Sequence, residues 1–80
     1  MARAFHLTIA SPSEVFFDGD ASEVSLPGSD GRLQILAGHE PLITTLRQGA
    51  VTYTASDTEK TMHIESGVVE VAENHCTILL

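Results

Sequence analysis

Apolar and polar residues alternate with a period of two through most of this chain, and turn signals cut the alternation every few residues. That period puts successive apolar side chains on one face of a strand, whereas a helix needs them three and four residues apart. Phe5, Leu7 and Ile9 alternate with His6 and Thr8; Val24 and Leu26 with Glu23 and Ser25; Leu33 and Ile35 with Arg32 and Gln34. Farther on, Val51 and Tyr53 alternate with Thr52 and Thr54, Met62 and Ile64 with His63 and Glu65, and Val69 and Val71 with Glu70 and Ala72. Val15 to Phe17 is a shorter apolar run, and Cys76 to Leu80 reads as the last strand. Leu42, Ile43 and Leu46 fit either a single helical turn or a strand; a strand is taken.

The punctuation is chemically specific. Ser11-Pro12-Ser13, Asp18-Gly19-Asp20, Gly28-Ser29-Asp30-Gly31, Ser56-Asp57-Thr58, Ser66-Gly67 and Glu73-Asn74 are all read as turns. Glycine tolerates positive φ, while Asp, Asn and Ser hydrogen-bond nearby backbone amides. Short strands so closely spaced, with no useful helical segment, imply an all-β antiparallel sandwich or barrel. Eighty residues make one domain, 1–80, and a chain of that size buries only about 60% of its unfolded surface, so a partner would add to a thin margin of stability.

Eleven acids against four bases give a net charge of -7, which opposes binding to nucleic acid and to anionic membrane surfaces. Protein partners are expected instead. A hydrophobic content of 42% without a long uncharged span suits a soluble aliphatic core rather than a membrane helix. The single cysteine, Cys76, rules out an intrachain disulfide and points to a reducing compartment. The start MARAFHLTI runs directly into a strand pattern, so no signal peptide is expected. The end at Leu80 suits a minimal protein or one domain of a longer one.

The residue types that could carry chemistry lack the spacing it needs. His39-Glu40 opens like a helical zinc motif, but the second histidine would fall at Ile43, and Pro41 disturbs a helix. Gly31 is followed by Arg32, not by the Lys-Ser/Thr of a phosphate loop. His6, His63 and His75 sit at strand positions with no spacing that argues for convergence, and each reads as a solvated strand residue. Cys76 reads as a core thiol. Asp18 and Asp20 supply too few oxygens for calcium. No metal, cofactor or catalytic residue is assigned.

The stretch LPGSDGRLQILAGHEPLITTL, Leu26 to Leu46, resembles the signature of the epsilon-subunit family of F-type rotary ATP synthases, a glycine turn and strand leading to Pro-Gly-His-Ala-Pro-Leu. FHLTIASPSEVFFDGDASEVSLPG looks like that family's opening strands, LRQGAVTYT like its Leu-Lys-Pro-Gly-Val segment, and ESGVVEVAENHCTILL like its last two strands. The likeness spans nearly the whole chain. It differs at Ala37, at Glu40, at Val68 in place of a second glycine, and at Arg32, where some relatives are acidic.

The resemblance implies a flattened sandwich of about ten short strands, the amino-terminal domain of a non-catalytic rotor subunit in the central stalk. That subunit would link the gamma subunit to the c-subunit ring and couple proton translocation to ATP synthesis, peripheral to the cytoplasmic face of a bacterial inner membrane. By matching positions, Ser11, His39 and Thr44 are expected at the gamma interface, and Asp30, Gly31, Arg32 and Leu33 at the c ring. The family's carboxy-terminal helical hairpin is not expected here, so neither inhibition nor nucleotide binding is carried over. The alternative is a free-standing beta-sandwich protein-binding module.

Overall fold

Alternation becomes strand throughout the computed structural model, which describes residues 3–80. The nine strands are β1 (Phe5–Ser11), β2 (Glu14–Ala21), β3 (Glu23–Gly28), β4 (Gly31–Leu36), β5 (Leu42–Leu46), β6 (Gly49–Ala55), β7 (Thr58–Ile64), β8 (Gly67–Ala72) and β9 (His75–Leu79). The ambiguous run at Leu42 is the strand β5. Each run read as a strand from the residues thus yields one, nine in all, against the about ten that the resemblance implied.

The strands form one sheet in the order β2-β1-β9-β8-β5-β3-β6-β7, with β4 also paired to β3. Between β5 and β3 only Gly28 and Leu46 pair, and there the sheet folds over. Phe17 of β2 then meets Tyr53 of β6 with ring centroids 4.8 Å apart, so the two halves face each other as layers. Extents of 34 × 24 × 19 Å give the expected flattened sandwich.

Not every pairing is antiparallel. β1 and β9 run parallel, with His6 beside His75, Leu7 beside Cys76 and Ile9 beside Ile78. This brings the two ends of the chain to adjacent strands, a neighbourhood that local periodicity does not encode.

Turn chemistry sets the register. Ser56 and Asp57 have φ of 52° and 60°, and Glu73 and Asn74 have φ of 51° and 61°. Each pair is a two-residue hairpin loop with both central residues left-handed, the twist that matches flanking strands. Asn74 also ties three segments together. Its Nδ2 donates to the Ala4 carbonyl at 2.8 Å, its Oδ1 accepts from Gly38 N–H at 2.9 Å, and its own carbonyl accepts from His6 N–H at 3.1 Å.

Asp18-Gly19-Asp20 is not a turn, as its composition suggested, but lies within β2 opposite Thr8, Leu7 and His6. A Cβ at Gly19 would meet the Phe17 ring at an ordinary contact distance of 3.4 Å, so the glycine is not forced there by space. At Gly28 a Cβ would fall 2.7 Å from the Gly31 carbonyl oxygen, so only glycine lets the β3–β4 hairpin close this tightly.

The core is aliphatic. Leu7, Ile9, Val24, Leu26, Val51, Val69, Cys76 and Ile78 have no exposed surface, and no polar or charged residue is buried among the described residues. Burial pushes the Cys76 thiol up to about 12 from 9.0 because its thiolate is poorly solvated there. Cys76 is therefore expected to resist iodoacetamide in the native state and to react once the chain is unfolded in urea, as mass spectrometry would register. The sign follows: above about pH 9 the unfolded thiol ionises and the folded one does not, so stability falls as pH rises towards 12.

Candidate interaction surfaces

The residues that alternate with the core build the outer face of β5, β8, β9, β1 and β2. Pairing aligns Thr45, Val68, Leu79, Ala10 and Val15 in one row across the five strands, about 19 Å from end to end. Val15 is 62% exposed, Leu79 55% and Val68 38%, and Ile43 of the adjoining row reaches 68%. Such a row at solvent gains nothing until another apolar surface covers it.

The same face turns polar towards the opposite end of the strands. The next row holds Ile43, Glu70, Thr77, Thr8 and Asp18, and the row after it Ala72, His75, His6 and Asp20. Sequence spacing gave no reason for the histidines to converge, yet parallel pairing sets the His6 and His75 rings 4.8 Å apart. His6 Nε2 lies 2.5 Å from Asp18 Oδ1, and the Thr8 hydroxyl donates to the same oxygen at 3.1 Å. These bonds, His6 first, hold the Asp18 carboxyl below its ordinary value of 3.8. Their contribution is therefore present at neutral pH and lost as pH falls through the lowered value. His63 is elsewhere, on β7 opposite Ala50.

The residues singled out in the sequence are dispersed. Ser11 ends β1 beside the β1–β2 turn, its Oγ 3.4 Å from Ser13 Oγ. His39, between β4 and β5, accompanies Leu36, Asn74 and His75 around a small apolar depression, with Nδ1 2.7 Å from the Glu40 carbonyl oxygen. Thr44 does not join either of them. It lines an open cleft of about 200 Å³ with Asp30, Gly31, Arg32, Leu33 and Leu42, so one surface holds residues expected at two different partners.

Arg32, near the start of β4, is tied to two other strands. Its Nη1 donates to the Ala50 carbonyl and its Nη2 to Ser25 Oγ, each at 2.9 Å, tying β4 across β3 to β6. Among the described residues no group of three His, Cys, Asp or Glu is arranged for a metal ion. An open cleft of about 390 Å³ is lined by Glu70, Ala72, Glu73, His75 and Thr77. What this molecule offers is surface for contact: an apolar row, a rigid turn, and charged ends.

Residues 4–80 match the family described as the ATP synthase delta/epsilon chain, beta-sandwich domain. The chain is 41% identical over 78 residues to the ATP synthase epsilon chain of Chlorobium limicola, covering 96% of this chain and 89% of that one. It is 39% identical over 75 residues to the ATP synthase epsilon chain of a Bradyrhizobium species, covering 94% of this chain and 56% of that protein. The chain thus spans about half the length of several curated relatives it matches. A chain of the Euglena gracilis mitochondrial ATP synthase, solved as an OSCP/F1/c-ring assembly, superposes with a TM-score of 0.88 at 19% identity, over 95% of this chain and 49% of that one. A chain of the Tetrahymena thermophila mitochondrial ATP synthase central stalk and c ring gives 0.79 at 17% identity, over 92% and 60%. At these identities the structural likeness is one of fold.

Proposed function

The chain belongs to the ATP synthase delta/epsilon beta-sandwich family, and from that membership we propose that it is a non-catalytic central-stalk subunit joining the gamma subunit to the c-subunit ring. It transmits rotation and so couples proton translocation to ATP synthesis. The apolar row from Val68 through Leu79 to Val15 carries the reading. A flat, exposed apolar strip on a stiff sheet suits a lasting protein contact.

Gamma covers this face. Ser11 ends β1 next to the row's Ala10 and His39 shares a depression with His75, so these two border the five-stranded face, whereas Thr44, next to Thr45 of the row, turns the other way into the hairpin cleft. The c ring meets the β3–β4 hairpin through Asp30, Gly31, Arg32 and Leu33. Gly28 and the Arg32 hydrogen bonds hold that hairpin stiff, as a torque-bearing contact requires.

The role needs adhesion and rigidity rather than tuned acids and bases, and no cofactor. The site of action is the cytoplasmic face of a bacterial inner membrane, with the chain held there by its partners. No described helix is long and apolar enough to cross a membrane. The experiment is co-purification with the gamma subunit of the same organism, where a stable complex burying roughly 1,200–2,000 Å² is expected.

A further inference from the structure

Only four of the chain's residues are Lys or Arg, and two of them, Arg32 and Arg47, line one cleft of about 260 Å³ where the β3–β4 hairpin meets the β5–β6 turn. The remaining walls are neutral, three of them the glycines Gly28, Gly31 and Gly49. Arg32 is held in place by the Ala50 carbonyl and the Ser25 hydroxyl, neither of which neutralises it. Arg47 is anchored through its backbone, its N–H donating to the Pro27 carbonyl at 2.8 Å. Neither guanidinium makes an ion pair among the described residues, although the chain carries eleven carboxylates.

Two cationic residues lining one otherwise neutral cleft make it positive, and an anion from outside complements that charge. A guanidinium fork matches a carboxylate geometrically, and glycine walls let a backbone approach closely. The rest of the surface discriminates between sources of the anion. A net charge of -7 repels an extended anionic lipid surface, whereas a single acidic loop reaches the cationic spot alone.

We propose that the Arg32–Arg47 cleft is a docking site for a carboxylate on an acidic loop of a partner protein. The inference rests on the central-stalk reading, under which that partner is the c ring, and it adds Arg47 and the partner's charge to it. Arg47 is the clean probe, because Arg32 also braces the sheet.

The test titrates the chain onto an immobilised gamma–c-ring complex in detergent, and separately onto gamma alone, at low and high salt. Arg47→Glu is expected to weaken capture by the gamma–ring complex about five- to tenfold and to flatten its salt dependence, with Arg47→Lys retaining much of the affinity. Affinity for gamma alone and the melting temperature stay unchanged. Equal capture of wild type and Arg47→Glu by the gamma–ring complex overturns the cleft, as does an Arg47→Glu loss confined to gamma alone. Arg47-dependent binding to phosphatidylglycerol vesicles overturns it in favour of a lipid phosphate. Failure of the wild type to bind gamma at all defeats the central-stalk reading instead, so the two failures are distinct.

Discussion

Truncating Ile78 to alanine is expected to destabilise the fold by about 2–5 kcal/mol, measured by urea denaturation. Ile78 is fully buried in β9, paired with Ile9 on one side and Val69 on the other, at the middle of the five-stranded layer. Removing three methyl and methylene carbons there leaves a cavity that two hydrogen-bonded neighbours prevent from collapsing. For a domain of this size each 1 kcal/mol lowers the melting temperature by about 4–8 °C, so the variant should lose a large part of its thermal range. A loss under about 1 kcal/mol would mean that this layer is not the centre of the core.

The next residue along the same strand behaves oppositely. Leu79 points away from Ile78, is 55% exposed, and occupies the middle of the apolar row between Val68 and Ala10. Leu79→Asp places a carboxylate where the account puts the centre of the gamma contact, which must then be desolvated unpaired. Hot-spot losses of about 2 kcal/mol or more are expected, a weakening of roughly 30-fold or greater by isothermal titration with gamma. Fold stability changes by less than about 1 kcal/mol, because the side chain already faces water. Unchanged affinity would move the gamma contact to another face.

Neighbouring residues with opposite consequences follow from strand geometry, and that much was readable in advance. Each of the nine runs read as strands became one, six of them by clear alternation and the ambiguous one at Leu42 included, because the period-two pattern is local and burial of one face enforces it. What local pattern does not hold is which strands become neighbours. The parallel pairing of β1 with β9 joins residues some seventy positions apart, and so His6 and His75, read as isolated, share one cluster with Asp18. The apolar row escaped notice for the same reason, since Ala10, Leu79 and Val68 come from three strands.

Composition misled in one place and understated another. Asp-Gly-Asp looks like a turn, but it continues β2, and the flanking aspartates stand on the outer face opposite Thr8 and His6. Glu73-Asn74 looked like mere punctuation, yet the Asn74 amide binds both the amino-terminal segment and the loop before His39. The candidate site residues were chosen by resemblance alone. In the fold Thr44 lies with Asp30 to Leu33 rather than with Ser11 or His39, which places the gamma and c-ring expectations on touching surfaces.

The proposed adhesion to gamma through the five-stranded face stands or falls on equilibrium titration of the purified chain with its cognate gamma subunit. A saturable one-to-one complex is expected, in which hydrogen exchange slows on β8 and β9 and remains fast on the exposed β7. Absence of any complex from low to high salt, or protection confined to β7, would contradict it.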